Sequence, residues 1–249
     1  MDLQLRGLRA AVTGASKGIG AAIAEALAAE GANLVLVSRS PVDGAELAAR
    51  HGVEVSTVVA DLSTLEGRRE VERTVGSLDI LVNNAGAIPP GSLQDVGEDA
   101  WRESWDLKLY GYVFLTQSLY SKLAASSHGV VLNIIGVASE DLPPGYIAGA
   151  VGNSALVAFT KTLAKAAWQD GVRVVGINPG PTATDRHERL QRARAAETLG
   201  DADRWRELDS ALPFGRACSP SEIADSAAFL VSPRSSYTSG TVLTIDGGA

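Results

Sequence analysis

Short runs rich in Val, Leu and Ile alternate along this chain with longer stretches whose apolar residues recur at helical spacing. LRAAVTG precedes GIGAAIAEALAAEG, NLVLVSR precedes a helix near Asp43 to Arg50, and VEVSTVVA precedes one near Leu65 to Val75. After LDILVNNAG the rhythm continues through a long helix from about Asp99 to Ala125, the strand GVVLNII, a helix from about Gly149 to Gln169, the strand GVRVVGINPG and the terminal run TVLTIDGG. Near-continuous apolar runs suit strands covered on both faces, and strand, helix, strand at this spacing builds a parallel sheet. The pattern predicts an α/β fold: one Rossmann-like, doubly wound parallel sheet with helices on both faces, occupying residues 1–249 as a single domain. Only Thr184 to Leu212 breaks the rhythm. It is charged, helical in composition and inserted between a Pro-Gly strand end and a helix beginning near Ser219. Inserted beyond the C-terminal end of a strand, it is expected to act as a lid over a binding crevice.

Composition narrows the function. With 45% apolar and 20% charged residues the chain is globular in type, and a net charge of −7 argues against a nucleic-acid partner, whose phosphates demand clustered cations. One cysteine, Cys218, and three scattered histidines give no disulfide and no metal-ligand spacing, so no metal and a reducing, cytoplasmic setting are expected. MDLQLRGLRAAVTG reads as the approach to a strand, not as a leader, and no uninterrupted apolar segment reaches the ~18 residues of a span, so no membrane partner is expected.

Thr13-Gly14-Ala15-Ser16-Lys17-Gly18-Ile19-Gly20 follows a strand and opens a helix, the setting in which backbone N–H groups approach a pyrophosphate. Together with Asn83-Asn84-Ala85-Gly86, Asn178-Pro179-Gly180 with Thr184, and Asp246-Gly247-Gly248, this chain resembles the short-chain dehydrogenase/reductase family over nearly its whole length. The resemblance implies a nicotinamide cofactor cradled by Gly14, Ser16, Lys17, Gly18, Ile19 and Gly20, with Ala85 and Gly86 beside it. It further implies that Asp61 and Leu62 hold the adenine edge, Asn83 the ribose region, and Pro179, Gly180, Thr182 and Thr184 the carboxamide. An acidic residue ending the second strand would favour NAD. Ser38-Arg39 stands there instead, with Lys17 in the glycine turn, and the two cations favour NADP(H).

In that family a Tyr protonates the substrate oxygen, a Lys four residues later lowers its pKa, a Ser holds the oxygen and an Asn supports the Lys. Aligning NIIGVAS, FTKTLA and WDLKLYGYVFLTQ without gaps places Gly136 at the serine, Gly149 at the tyrosine, Asn153 at the lysine and Lys108 at the asparagine. The resemblance therefore implies an atypical proton-donating site. Read at 3.6 residues per turn, Lys108 shares an apolar stripe with Trp101, Trp105, Gly111, Tyr112 and Leu115. Tyr146 stands three residues before Gly149, within reach of the space a larger residue would fill. Lys108 and Tyr146 are the catalytic candidates, with Asn153 as polar support; Ser139 and His187 are weaker donors. The run of arginines from Arg186 to Arg206 is balanced by acids and suits a solvated face better than an anion site.

These readings predict an NADP(H)-dependent oxidoreductase that moves hydride to or from a small carbonyl, alcohol or imine. Two alternatives stand beside it: an NADP(H)-binding sensor or scaffold without turnover, and a lyase or isomerase using Lys108 as base. The small residues Gly149, Ala150, Gly152, Ser154 and Ala155 predict close helix approach in a homodimer or homotetramer.

Overall fold

The central strands of this chain are almost wholly apolar because helices cover both of their faces. In the computed structural model, which describes residues 1–249, seven strands form one parallel sheet: β1 (Arg9–Thr13), β2 (Asn33–Ser38), β3 (Val55–Val59), β4 (Ile80–Asn83), β5 (Val130–Ile134), β6 (Arg173–Pro179) and β7 (Val242–Ile245). Their order is β3-β2-β1-β4-β5-β6-β7. The chain moves outward from β1 to β3 and then crosses back to place β4 on the other side of β1, so a crevice opens where β1 and β4 end.

Helix α1 (Gly18–Ala29) covers one face together with α10 (Pro220–Val231), burying Ile23, Leu27, Ile223 and Val231 against β1, β2, β4, β5 and β6. Helix α10 begins with a capping box in which Ser219 and Glu222 satisfy each other's backbone N–H groups, and Pro220 presets its first turn. Between α1 and α10 in sequence lie α2 (Ala45–His51), α3 (Leu65–Thr74), α4 (Glu98–Trp105), α5 (Gly111–Ala124), the short α6 (Ala138–Asp141) and α7 (Ile147–Ala167). On the opposite face, residues from α3, α5 and α7 pack against the sheet, Leu115, Leu119, Leu123, Ala164 and Ala167 among them. The segment Ile147–Asp170 is long and apolar enough by composition to cross a membrane, with a mean hydropathy of 1.2; in this fold its inner face packs on β6.

The pattern anticipates a continuous helix from Asp99 to Ala125, but the structure divides it. Residues Asp106–Tyr110 form a turn of π-helix between α4 and α5, which widens the helix at Lys108. Helix α7 begins at Ile147, ahead of Gly149, because Tyr146 supplies a non-helical N-cap tied through its neighbours to the loop at Gly91. Three of the five small residues expected to admit a second copy are used inside the chain. Gly149 lies under the Tyr146 ring, Gly152 faces the Trp105 indole and Ala150 is buried.

Between β6 and α10 the chain forms α8 (Asp185–Leu199), a 3-10 turn and α9 (Trp205–Asp209). The Thr184 hydroxyl caps α8 by accepting from the His187 N–H, and the guanidiniums of Arg192 and Arg206 both lie over the Trp205 ring, 6.0 and 4.6 Å from its centroid.

Candidate active site

The turn from β1 into α1 is built by close approach. Gly14 and Gly18 have φ of +65° and +59°, backbone that side chains rarely adopt. A Cβ on Gly20 would collide with the Gly14 carbonyl and the Asn84 amide, so helix and turn meet with no space between them. Asn84 fastens this turn to β4: its Nδ2 donates to the Thr13 carbonyl at 2.9 Å, while the N–H groups of Asn84 and Ala85 donate to the Thr13 hydroxyl at 2.8 and 3.0 Å.

Further along the same edge, Arg39 is exposed after β2 and helps hold the Asp61 carboxyl below its usual range, a shift caused first by the Ser63 hydroxyl. The Asp61 carboxylate accepts from both the backbone and the hydroxyl of Ser63. Lys17 lies 3.5 Å from Asp185, both side chains largely in solvent.

Lys108 projects from the π turn toward the ends of β4 and β5. Its Nζ donates to the Ile135 carbonyl at 2.5 Å, and its stem passes so close to Gly86 that a Cβ there would sit 2.8 Å from the Lys108 Cδ. Burial of the amine, with Arg186 as a neighbouring like charge, pushes its pKa down to about 7. Opposite it, Gly136 has φ of +142°, and a Cβ on it would lie 2.8 Å from the Asn153 amide nitrogen. Asn153 is buried; its Nδ2 reaches the Gly136 carbonyl at 3.4 Å, and its Oδ1 accepts from no protein group.

Tyr146 folds over Gly149, where a Cβ would fall inside the phenol ring. Its hydroxyl accepts from Arg186 Nη2 at 3.3 Å, and the same nitrogen donates to the Ile88 carbonyl at 2.6 Å. Burial raises the Tyr146 pKa, and Arg186 offsets part of that rise, so the phenol stays protonated at neutral pH. The indole of Trp105 supports this end of α7 by donating to the Ala148 carbonyl at 3.0 Å. One crevice thus gathers an amine, a phenol and a guanidinium at the C-terminal edge of the sheet.

Against protein-family models, residues 14–249 match one described as enoyl-(acyl carrier protein) reductase. Oxidoreductase UcpA of Escherichia coli K12 is 35% identical over 254 residues, covering 99% of this chain and 95% of that protein. L-xylulose reductase of Bos taurus is 32% identical over 249 residues, covering 100% and 98%. A crystal structure of L-sorbose reductase from Gluconobacter frateurii, complexed with NADPH and L-sorbose, superposes with a TM-score of 0.92 at 32% identity, covering 99% of this chain and 98% of that one. The chain belongs to the short-chain dehydrogenase/reductase family.

Within this short-chain dehydrogenase/reductase, Gly14, Ser16 and Lys17 lie in the turn and Gly18, Ile19 and Gly20 open α1, while Lys108, Tyr146 and Asn153 lie at the adjoining end of the crevice. Several of the other side chains named from the resemblance already have partners within the protein. The Asn83 side chain turns into the core, where Nδ2 donates to Thr116 and to Asn133, because β4 is buried on both faces. Leu62 likewise packs into the core, and the Ser38 hydroxyl is spent on the Ser40 carbonyl. Thr182 is buried with its hydroxyl on the Gly180 carbonyl. His187 is no free donor, since its Nε2 pairs with Asp209 at 2.9 Å, and Ser139 is held between Gly136 and Asn178. The reading of the arginine run holds for Arg192 and Arg204, which pair with acids of the same segment. It fails for Arg186, which faces the crevice. Arg186, Thr13 and Asn84 are the site residues that sequence reasoning passed over; only the NNAG context flagged Asn84, and nothing in the local pattern separates Arg186 from its neighbours.

Proposed function

We propose that this oxidoreductase transfers hydride between NADP(H) and a small carbonyl, alcohol or imine, with Lys108 and Tyr146 forming a proton-donating site that replaces the family's Asn-Ser-Tyr-Lys set. The residues present fit the cofactor: the Gly14–Gly20 cradle admits no side chain at its closest point, and Arg39 stands exposed just beyond β2. NADPH, when bound, supplies the hydride. Gly14, Gly18 and Gly20 would bring backbone N–H groups to the pyrophosphate, and Arg39 would offer its charge to the 2′-phosphate. Residues 184–212 form the lid, tied across the crevice by the bonds from Arg186 to Ile88 and Tyr146.

The observation that carries this reading is the Tyr146 ring standing in the space left by Gly149, in the same crevice as the amine of Lys108. As the substrate oxygen gains negative charge, the protonated phenol and the Lys108 ammonium are the donors at hand, and a positioned acid contributes about 10²–10⁴ in rate. The deciding experiment is deuterium transfer from C4-labelled NADPH to a panel of ketones, aldehydes and imines, read by mass spectrometry. Label in a product is the expected result; tight NADPH binding with no label in any product overturns it in favour of a binding role. A second reading, an isomerase or lyase, draws on the amine of Lys108, which is half neutral near pH 7 and able to act as base. Product formed without net cofactor oxidation would establish it.

Two results follow for the cofactor end. Arg39→Asp places a carboxylate where a 2′-phosphate would sit, and the preference for NADPH over NADH should fall by about 10²-fold or invert, as measured by the ratio of dissociation constants. Gly20→Val drives a side chain into the Gly14 carbonyl and the Asn84 clamp, and overpacking of about 1–3 kcal/mol or more should lower Tm and abolish detectable NADPH binding by calorimetry. The functional unit we propose is a homodimer or homotetramer, and a monomer in sedimentation at micromolar concentration would overturn that.

A further inference from the structure

Among the arginines of its segment, Arg189, Arg194 and Arg206 make no ion pair and are exposed to solvent, whereas Arg186 is half-buried. Arg192 is committed to Glu188 and Asp203, and Arg204 to Glu207. Arg186 makes no ion pair: Nη2 is held by the Ile88 carbonyl and the Tyr146 hydroxyl, while Nη1 and Nε have no protein acceptor. The adjacent carboxylate, Asp185, points the other way toward Lys17. Arg186 is half-buried, and the second cation near it, Lys108, has only the Ile135 carbonyl as partner. Two like charges sharing a partly desolvated crevice repel each other, and nothing in the chain neutralises them. The repulsion is felt at Lys108, where Arg186 adds to the effect of burial in lowering the amine's pKa. With Nη2 held by two bonds, the guanidinium is fixed in place, and its free Nη1 and Nε hydrogens, which point to different sides, can each donate one charge-assisted bond to an oxyanion.

We propose that the substrate is an oxo- or hydroxy-carboxylate whose carboxylate is bound by one of the free donors of Arg186, Nη1 or Nε, leaving its carbonyl or alcohol oxygen to Lys108 and Tyr146. This rests on the reading of the crevice as the reacting site. It assigns Arg186 a specificity role: a neutral carbonyl compound leaves the cationic pair uncompensated, whereas a carboxylate relieves it.

The test is calorimetric titration of the NADPH-saturated protein with 2-oxobutanoate, 4-oxopentanoate and 5-oxohexanoate, each against its primary amide. At least one acid should bind about tenfold or more tightly than its amide, the difference that a charge-assisted pair supplies. In Arg186→Gln the preference should collapse to about twofold or less, whereas Arg186→Lys, which keeps the positive charge, should retain part of it. Affinity for NADPH and Tm should stay close to those of the parent in both variants. Equal binding of acid and amide, binding of neither, or a preference that survives in Arg186→Gln overturns the proposal. So does a tenfold or greater loss of NADPH affinity in Arg186→Gln, which would assign the guanidinium to a cofactor phosphate. Hydride transfer is scored separately. Arg186-dependent carboxylate selectivity without deuterium transfer refutes the reductase reading and leaves this site standing, while efficient reduction of neutral ketones with no acid preference refutes this site alone.

Discussion

Replacing Lys108 by Met is expected to lower carbonyl reduction by about 10²–10⁴-fold, the contribution of a positioned general acid, while NADPH affinity stays within about twofold. The pH profile separates this from a structural effect. With its pKa pushed down to about 7 by burial first and Arg186 second, Lys108 carries the proton below that pH and loses it above. Reductive turnover in the parent should therefore fall as pH rises through about 7, and oxidation of the corresponding alcohol, which needs the free amine, should rise. Both limbs vanish in Lys108→Met. Tyr146 produces no such limb, because burial holds its pKa above the usual phenol value. Stability moves in the opposite direction from activity. The unfolded lysine titrates near 10.5, so between about 7 and 10.5 the unfolded chain binds more protons than the folded one, and stability of the parent climbs with pH across that window. Met has no charge to desolvate. Lys108→Met should match or exceed the parent in Tm, with the gain largest at or below pH 7 and gone by about pH 10.5. A variant that loses activity by unfolding would show the reverse, and unchanged turnover would remove Lys108 from the mechanism.

The sheet was legible in the sequence because parallel strands covered on both faces leave continuous apolar runs, and every strand expected from the pattern is present in the order a doubly wound fold requires. Helix boundaries and continuity were less so. A π turn has no periodic signature of its own, and Asp106–Tyr110 reads as uninterrupted helix until the backbone is seen. At the cofactor end the glycines identified themselves, since Gly20 admits no Cβ, but the destinations of polar side chains did not. Asn83 and Asn84 are adjacent and chemically identical; strand alternation sends one into the core onto Asn133 and the other onto the β1 turn. Arg186 was hidden for a different reason. Arg192 and Arg204 have nearby acids and are paired with them in the structure as charge pattern predicts, whereas Arg186 bonds to Tyr146, 40 residues earlier, and to the carbonyl of Ile88, 98 residues earlier. Contacts of that range come from topology, not from local pattern.

Gly149→Ala is the smallest change that tests whether the position of Tyr146, and not merely its presence, matters. The added methyl would fall inside the Tyr146 ring, among Cε1, Cζ and Cδ1. The backbone there is helical, Ala is the better helix former by about 1 kcal/mol, and the obstructed atoms belong to a side chain that can swing, so the fold should survive. The ring cannot stay. Moving it withdraws the hydroxyl from Arg186 Nη2, loosens the tie between the lid and the loop at Ile88, and displaces the phenol from the crevice it shares with Lys108. A misplacement of about 1 Å in a reacting group costs on the order of 10²-fold, so turnover should drop by about that factor with Tm within a few degrees and NADPH affinity unchanged. Tyr146→Phe, which keeps the ring in place and removes only the hydroxyl, should lose a comparable amount, and adding Gly149→Ala to it should cost little more, because both changes act on one group. If Tyr146 were only a wall of the pocket, Tyr146→Phe would be silent while Gly149→Ala still altered substrate affinity. The double-mutant cycle therefore distinguishes a proton donor seated in the space that glycine leaves from an aromatic residue that happens to fill it.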